Sequence, residues 1–177
     1  MKKAIVIICL FIAFLITYFL QANFFSWFTI AGVKPNLFII LVLFISLFAG
    51  IRIGIGYGLF FGLFLDIILG KNLGTYTTMF IIIAILGGYF DKNFSKDSRL
   101  TIMLMVMAST FIFEVGTYVL NSILLSSYVE VLNFIKVLVI EIIYNAVLTT
   151  ILYPAIQIIG YKIEDIFKGQ KILTRYF

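Results

Sequence analysis

Histidine is absent from the chain, cysteine occurs once, as Cys9, and proline twice, as Pro35 and Pro154. A lone thiol excludes a disulfide within the chain. Without histidine there is no Cys/His zinc site and no imidazole acid–base chemistry. Charge is also scarce, at 12% of residues. No nucleophile stands beside a base, so no catalytic, cofactor-binding or metal-ligating residue is expected, and the chain reads as a non-enzyme. Nucleic acid is not expected as a partner. The string GIGYG at 54–58 has the glycines of a phosphate loop, but no GK[ST] follows it.

What remains is apolar. Hydrophobic residues make up 63% of the 177 positions, and mean hydropathy is +1.19. That composition is expected of one polytopic all-α membrane domain. Six spans are expected, at about 4–20, 36–49, 53–69, 76–90, 101–125 and 133–159. The first follows Lys2 and Lys3 and lacks a small-x-small cleavage site, so it reads as a retained helix rather than a signal peptide. Residues 21–35 are too polar to span. Their rings (Phe24, Phe25, Trp27, Phe28) suit an interfacial helix or a shallow re-entrant loop. Pro35 fits the first turn of the second helix. That helix is short, so its ends must lean on neighbours or thin the bilayer. A kink or break is expected near Pro154.

Basic residues are unevenly placed. The two ends and the even-numbered loops carry Lys2, Lys3, Arg52, Lys92, Lys96, Arg99, Lys162, Lys168, Lys171 and Arg175. The other face carries Lys34 and Lys71. This bias predicts that both termini are cytoplasmic. Residues 161–177 mix lysines with Ile163, Ile166 and Phe167, as in a basic amphipathic tail able to meet anionic lipid.

Two sets of residues stand out inside the spans. Gly50, Gly54, Gly58, Gly62, Asp66, Gly70 and Gly74 recur in steps of four. Neighbours in such a row share nearly one helix face, leaving a furrow where another helix can come close. Gly54, Gly58 and Gly62 are the expected contact, with this protein's own helices or with a partner. The second set is Asp66, Glu114, Glu141 and Asn145, polar groups costly to place within a membrane. They are candidates for contacts between helices or for an ion or proton path. Glu141 and Asn145, one turn apart, suit a local carboxyl–amide pair.

The order of these features is similar to that of the rod shape-determining MreD family of bacteria. Lys34, Pro35, Asn36 and Leu37 resemble the family's P-[DN]-L entry into helix two, where the family more often has Asp at position 36. Gly54, Gly58, Phe61, Gly62 and Asp66 resemble its G-x3-G-x2-F-G-x3-D run, and Leu73-Gly74 the L-G that follows. Glu114 and Tyr118 resemble its fifth-span acid and tyrosine, and Asn145 and Pro154 those of its last span. The resemblance covers about residues 4–160. It implies a non-enzymatic inner-membrane scaffold of the cell-elongation complex. Such a protein would bind the bitopic shape protein MreC and act with the MreB filament, the RodA glycosyltransferase and a penicillin-binding transpeptidase. The family is also similar in fold to the substrate-binding subunits of energy-coupling-factor vitamin transporters. In that alternative, a ligand would sit at the outer face near Asn72, Tyr76 and Asn121.

Overall fold

The computed structural model describes residues 2–69, 73–125 and 130–169. Six helices carry the fold: α1 (Lys2–Phe19), α2 (Leu37–Ala49), α3 (Ile51–Leu69), α4 (Thr75–Asn93), α5 (Arg99–Leu125) and α6 (Val131–Phe167). Among the described residues there is no strand, only the isolated bridge between Ile30 and Val33. Four segments are long and apolar enough to cross a membrane: Lys3–Trp27, Ile51–Leu69, Arg99–Ile123 and Val131–Phe167. Six helices lie near the six spans expected from sequence, and four of the spans coincide with helices of that kind. The expected basic amphipathic tail divides: residues 161–167 continue α6, and 170–177 lie outside the described residues.

Helix α1 does not stop at Phe19. It passes into a π turn, Leu20–Phe24, and a last turn, Phe25–Trp27. A tight reversal follows, closed by paired hydrogen bonds between Ile30 and Val33 of 3.0 and 2.9 Å. Its two central residues both have positive φ, Ala31 at 52° and Gly32 at 83°. Glycine meets that requirement without strain, and the geometry suits a two-residue hairpin loop. Tyr144 of α6 donates its hydroxyl to Phe28 O at 2.8 Å. The chain then descends beside α6, so that the Asn36 N–H reaches Asn145 Oδ1 at 2.8 Å. Asn145 lies about 21 Å along α6 from its first residue, at ~1.5 Å per residue. The segment before α2 thus dips into the bundle.

This dip explains how α2 can be short. Thirteen residues cover about 20 Å, against a hydrocarbon core of roughly 30 Å. Its first backbone groups would be orphans in an apolar setting. Gln21 answers one of them and also ties down the residue before the cap. Its Nε2 donates to Pro35 O at 2.7 Å, and its Oε1 accepts from Leu37 N at 3.1 Å. Pro35 itself stands before the cap residue Asn36, not in the helix's first turn as expected. At the other end, Lys168 Nζ donates to Leu47 O at 2.8 Å. Gly50, at φ 97°, makes the one-residue link to α3.

Helix α2 is the axis of the fold. Ile39, Leu43 and Leu47 have no exposed surface, and α3, α4, α5 and α6 all pack on it. By contrast α1 is peripheral: in its most apolar stretch only 11% of residues are buried. Helix α6 runs unbroken through Pro154, so of the kink or break expected there, the break is not found. Membrane helices tolerate an internal proline because neighbours can satisfy the freed carbonyl.

Candidate functional site: a polar seam within the bundle

The glycine furrow of α3 is filled by this chain's own helices. A Cβ at Gly54 would lie 2.5 Å from the Ser46 Cβ of α2. At Gly58 it would lie 2.9 Å from Phe80 O, and at Gly62 2.5 Å from the Thr77 Cα, both in α4. Real Cβ atoms do not approach that closely, so the three positions need glycine for backbone contact. No partner helix can lie along this row. Gly87 of α4 closes on the same Ser46, whose hydroxyl donates to Ala84 O. Of the rest of the row, Gly70 lies outside the described residues, and Gly74, at φ 97°, caps α4.

Asp66 sits at the far end of α3 beneath the start of α4. Its carboxylate accepts from Gly74 N at 3.0 Å, Tyr76 N at 2.9 Å, Thr77 N at 3.0 Å and Thr77 Oγ1 at 2.6 Å. These are the amides a helix leaves unpaired at its N-terminus, where a negative charge is also favoured by the helix dipole. Asp66 therefore supplies from another helix the cap that α4 lacks locally.

The remaining polar groups line the seam between α5 and α6. Asn145 Nδ2 donates to Thr110 Oγ1 at 3.0 Å, while its Oδ1 takes the Asn36 N–H. The local Glu141–Asn145 pair expected from sequence is thus replaced: the amide is used by α5 and by the segment before α2. Glu141 turns instead to Glu114 of α5, and the two carboxyls lie in hydrogen-bonding contact, with the Asn36 side chain also on Glu141. Among buried side-chain atoms, Glu141 Oε1, Asn36 Oδ1, Ser109 Oγ and Thr149 Oγ1 have no partner.

Beside this seam is a cavity of about 250 Å³, lined by Tyr18, Gln21, Lys34, Asn36, Phe38 and Tyr76 among others. Asn36 and Tyr76 belong to both features: Tyr76 lies within electrostatic reach of Glu114, Glu141 and Asp66. Of the other ligand-holding residues expected from sequence, Asn72 lies outside the described residues, and Asn121 is on α5.

The opposite end of the bundle holds an ionic cluster that the sequence did not reveal. Lys96 Nζ contacts Asp91 and Glu164, each at 2.7 Å. Lys168 Nζ contacts Asp91 at 2.7 Å and Glu164 at 3.5 Å. Burial alone would raise the Asp91 carboxyl, but hydrogen bonds from the two ammonium groups outweigh it and hold it below its ordinary value. Burial alone would lower the Lys96 ammonium, but Asp91 and Glu164 outweigh it and hold it above. Gln157, Tyr153 and Tyr161 of α6 bind the 96–97 segment through Lys96 O, Asp97 O and the Asp97 carboxylate. The cluster joins two local pairs, Asp91 with Lys96 and Glu164 with Lys168, through contacts 68 and 77 positions apart, so the local spacings did not announce that the pairs meet.

An all-helical bundle with four helices long and apolar enough to cross a membrane defines an integral membrane protein of the multi-helix class. Its polar side chains mostly serve the joints between helices. The particular family follows from comparison: the profile of "rod shape-determining protein MreD" matches residues 1–162, and the chain belongs to that family. No curated protein and no solved structure matches it.

Proposed function

We propose that the chain is a non-enzymatic, multi-pass scaffold of the bacterial cytoplasmic (inner) membrane with both termini in the cytoplasm. It holds an MreC-type bitopic protein in the cell-elongation complex and so supports peptidoglycan synthesis. The MreB filament, the RodA glycosyltransferase and a penicillin-binding transpeptidase act with it, directly or through one another. Family membership carries this reading. An exposed apolar helix supports one site for the partner. With the glycine furrow closed, apolar surface remains on α1, where Ile8, Phe11, Ile12 and Leu15 are exposed, as well as on α3, α5 and α6, and the least buried of these helices, α1, is the one proposed for the contact. A partner with one membrane helix can pack there, because association in lipid rests on side-chain packing. The basic residues at the opposite end suit anionic lipid headgroups.

The test is capture of a tagged chain from membranes that also contain the MreC-type protein. The partner co-elutes with the parent chain, and replacing Phe11 and Leu15 with Ala lowers its yield. Absence of the partner at matched expression would refute the reading.

The cavity favours a second reading, a substrate-binding subunit with the energy-coupling-factor transporter fold. Its lining of Tyr18, Gln21, Lys34, Asn36 and Tyr76 joins polar and aromatic groups, as ligand sites do. A vitamin panel that raises the melting temperature of the purified chain would support it. A flat response across the panel would count against it.

A further inference from the structure

We propose that Glu114 and Glu141 bind one proton between them, which makes the α5–α6 seam a proton-binding site inside the membrane. The proposal is independent of the scaffold reading, since it concerns only the joint between two helices of this chain.

The placement is the first ground. Glu141 lies ten residues into α6, so about 15 Å from its first residue at ~1.5 Å per residue, near half the thickness of a bilayer core of roughly 30 Å. It is only 7% exposed, and it faces Glu114 in hydrogen-bonding contact. Two ionised carboxyls cannot hydrogen-bond to one another, because both are acceptors. A single proton turns one of them into a donor and removes the repulsion, as in paired carboxyls that share a site.

The surroundings are the second ground. Among the described residues, the groups that act on the pair include the neutral amide of Asn36, from the segment before α2, and the Tyr76 phenol of α4, which also lies within electrostatic reach of Asp66. None of these is cationic. All four ion pairs among the described residues lie at the opposite end of the bundle, and none includes Glu114 or Glu141. The buried Glu141 Oε1 has no donor at all. A buried carboxyl oxygen left without a donor in an apolar joint is a place where a proton relieves the mismatch. A metal ion fits poorly: among the described residues no group of three or more His, Cys, Asp or Glu could hold one.

The test is infrared spectroscopy of the full chain in lipid nanodiscs, reading the C=O stretch of protonated carboxyls. At neutral pH the parent protein shows this band, and E114Q and E141Q each diminish it. An amide facing one carboxyl keeps a donor in the joint, so both variants remain folded. If either variant fails to fold, the parent alone decides, since alkaline titration must abolish the band while helical content is retained. Absence of the band at neutral pH, or a band unchanged in both variants, would overturn the proposal. So would a melting temperature that rises with sodium in place of choline at fixed pH and falls to the choline value in E141Q, which would assign the joint to a cation.

Discussion

A carboxylate deep in a helix bundle is tolerable when donors surround it, and Asp66 has four. Removing it with Asp66→Ala strips the first turn of α4 of its acceptor. Each buried amide left unmatched costs about 1–3 kcal/mol, so the melting temperature of the purified chain falls sharply. Asp66→Asn keeps one acceptor oxygen and falls less. Glycines give a second prediction at this scale. Gly58→Ala pushes a Cβ against the Phe80 carbonyl, 2.9 Å away, and overpacking of this kind costs about 1–3 kcal/mol. Gly56→Ala meets nothing within 4 Å and removes a residue that weakens a helix by roughly 1 kcal/mol. Thermal melts should therefore show Gly58→Ala below the parent and Gly56→Ala level with it or above. Equal melting of the two variants would mean that α3 and α4 are not packed as described.

At the scale of elements, α2 is the centre of the fold, a short helix held at both ends by distant side chains. Gln21 and Asn145 satisfy its start, and Lys168, seated in the cluster with Asp91, Lys96 and Glu164, satisfies its end. The cluster gives stability a pH plateau. The Asp91 carboxyl lies below its ordinary value of 3.8, so its contribution is present above that value and lost as pH falls through the lower one. The Lys96 ammonium lies above its ordinary value of 10.5, so its contribution is present below that value and lost as pH rises through the higher one. Melting temperature followed against pH should thus be flat in between and fall at both extremes, and Asp91→Asn should blunt the acid limb. An acid limb unaltered in that variant would remove Asp91 from the account.

The joints between elements mark the limit of what the sequence disclosed. Long apolar runs marked out the helices, because a chain that cannot hydrogen-bond to lipid must do so within itself. The four-residue step marked the furrow, because helical periodicity converts spacing directly into a face. Neither could say which helix fills it. Asn145 was legible as a polar residue inside a span, but its partner Asn36 is 109 residues away, and the nearer Glu141 invited a local pairing that α5 displaces. Separation along the chain, from one span to the next, hid the Glu114–Glu141 contact as well. A kink or break is expected near Pro154, because proline removes one backbone hydrogen bond, and α6 continues through it without a break.

For the whole molecule, polar groups are turned inward and the apolar faces of α1, α3, α5 and α6 outward. The basic residues gather at the end where Lys96 and Lys168 meet Asp91, which predicts that this end is cytoplasmic. With Cys9 replaced by Ser and a cysteine placed at Ser95, an impermeant thiol reagent added outside intact cells should leave the protein unlabelled and should label it after permeabilisation. Labelling in intact cells would invert the topology and with it the proposed contact with the MreB filament.

The central claim is that this bundle serves rod-shape maintenance by holding partners and not by catalysis. The most direct measurement is rescue. In rod-shaped cells made to lose their shape by depletion of their own family member, expression of this chain should return them to rods. Round cells in which the chain is present in the membrane at normal level would contradict the claim.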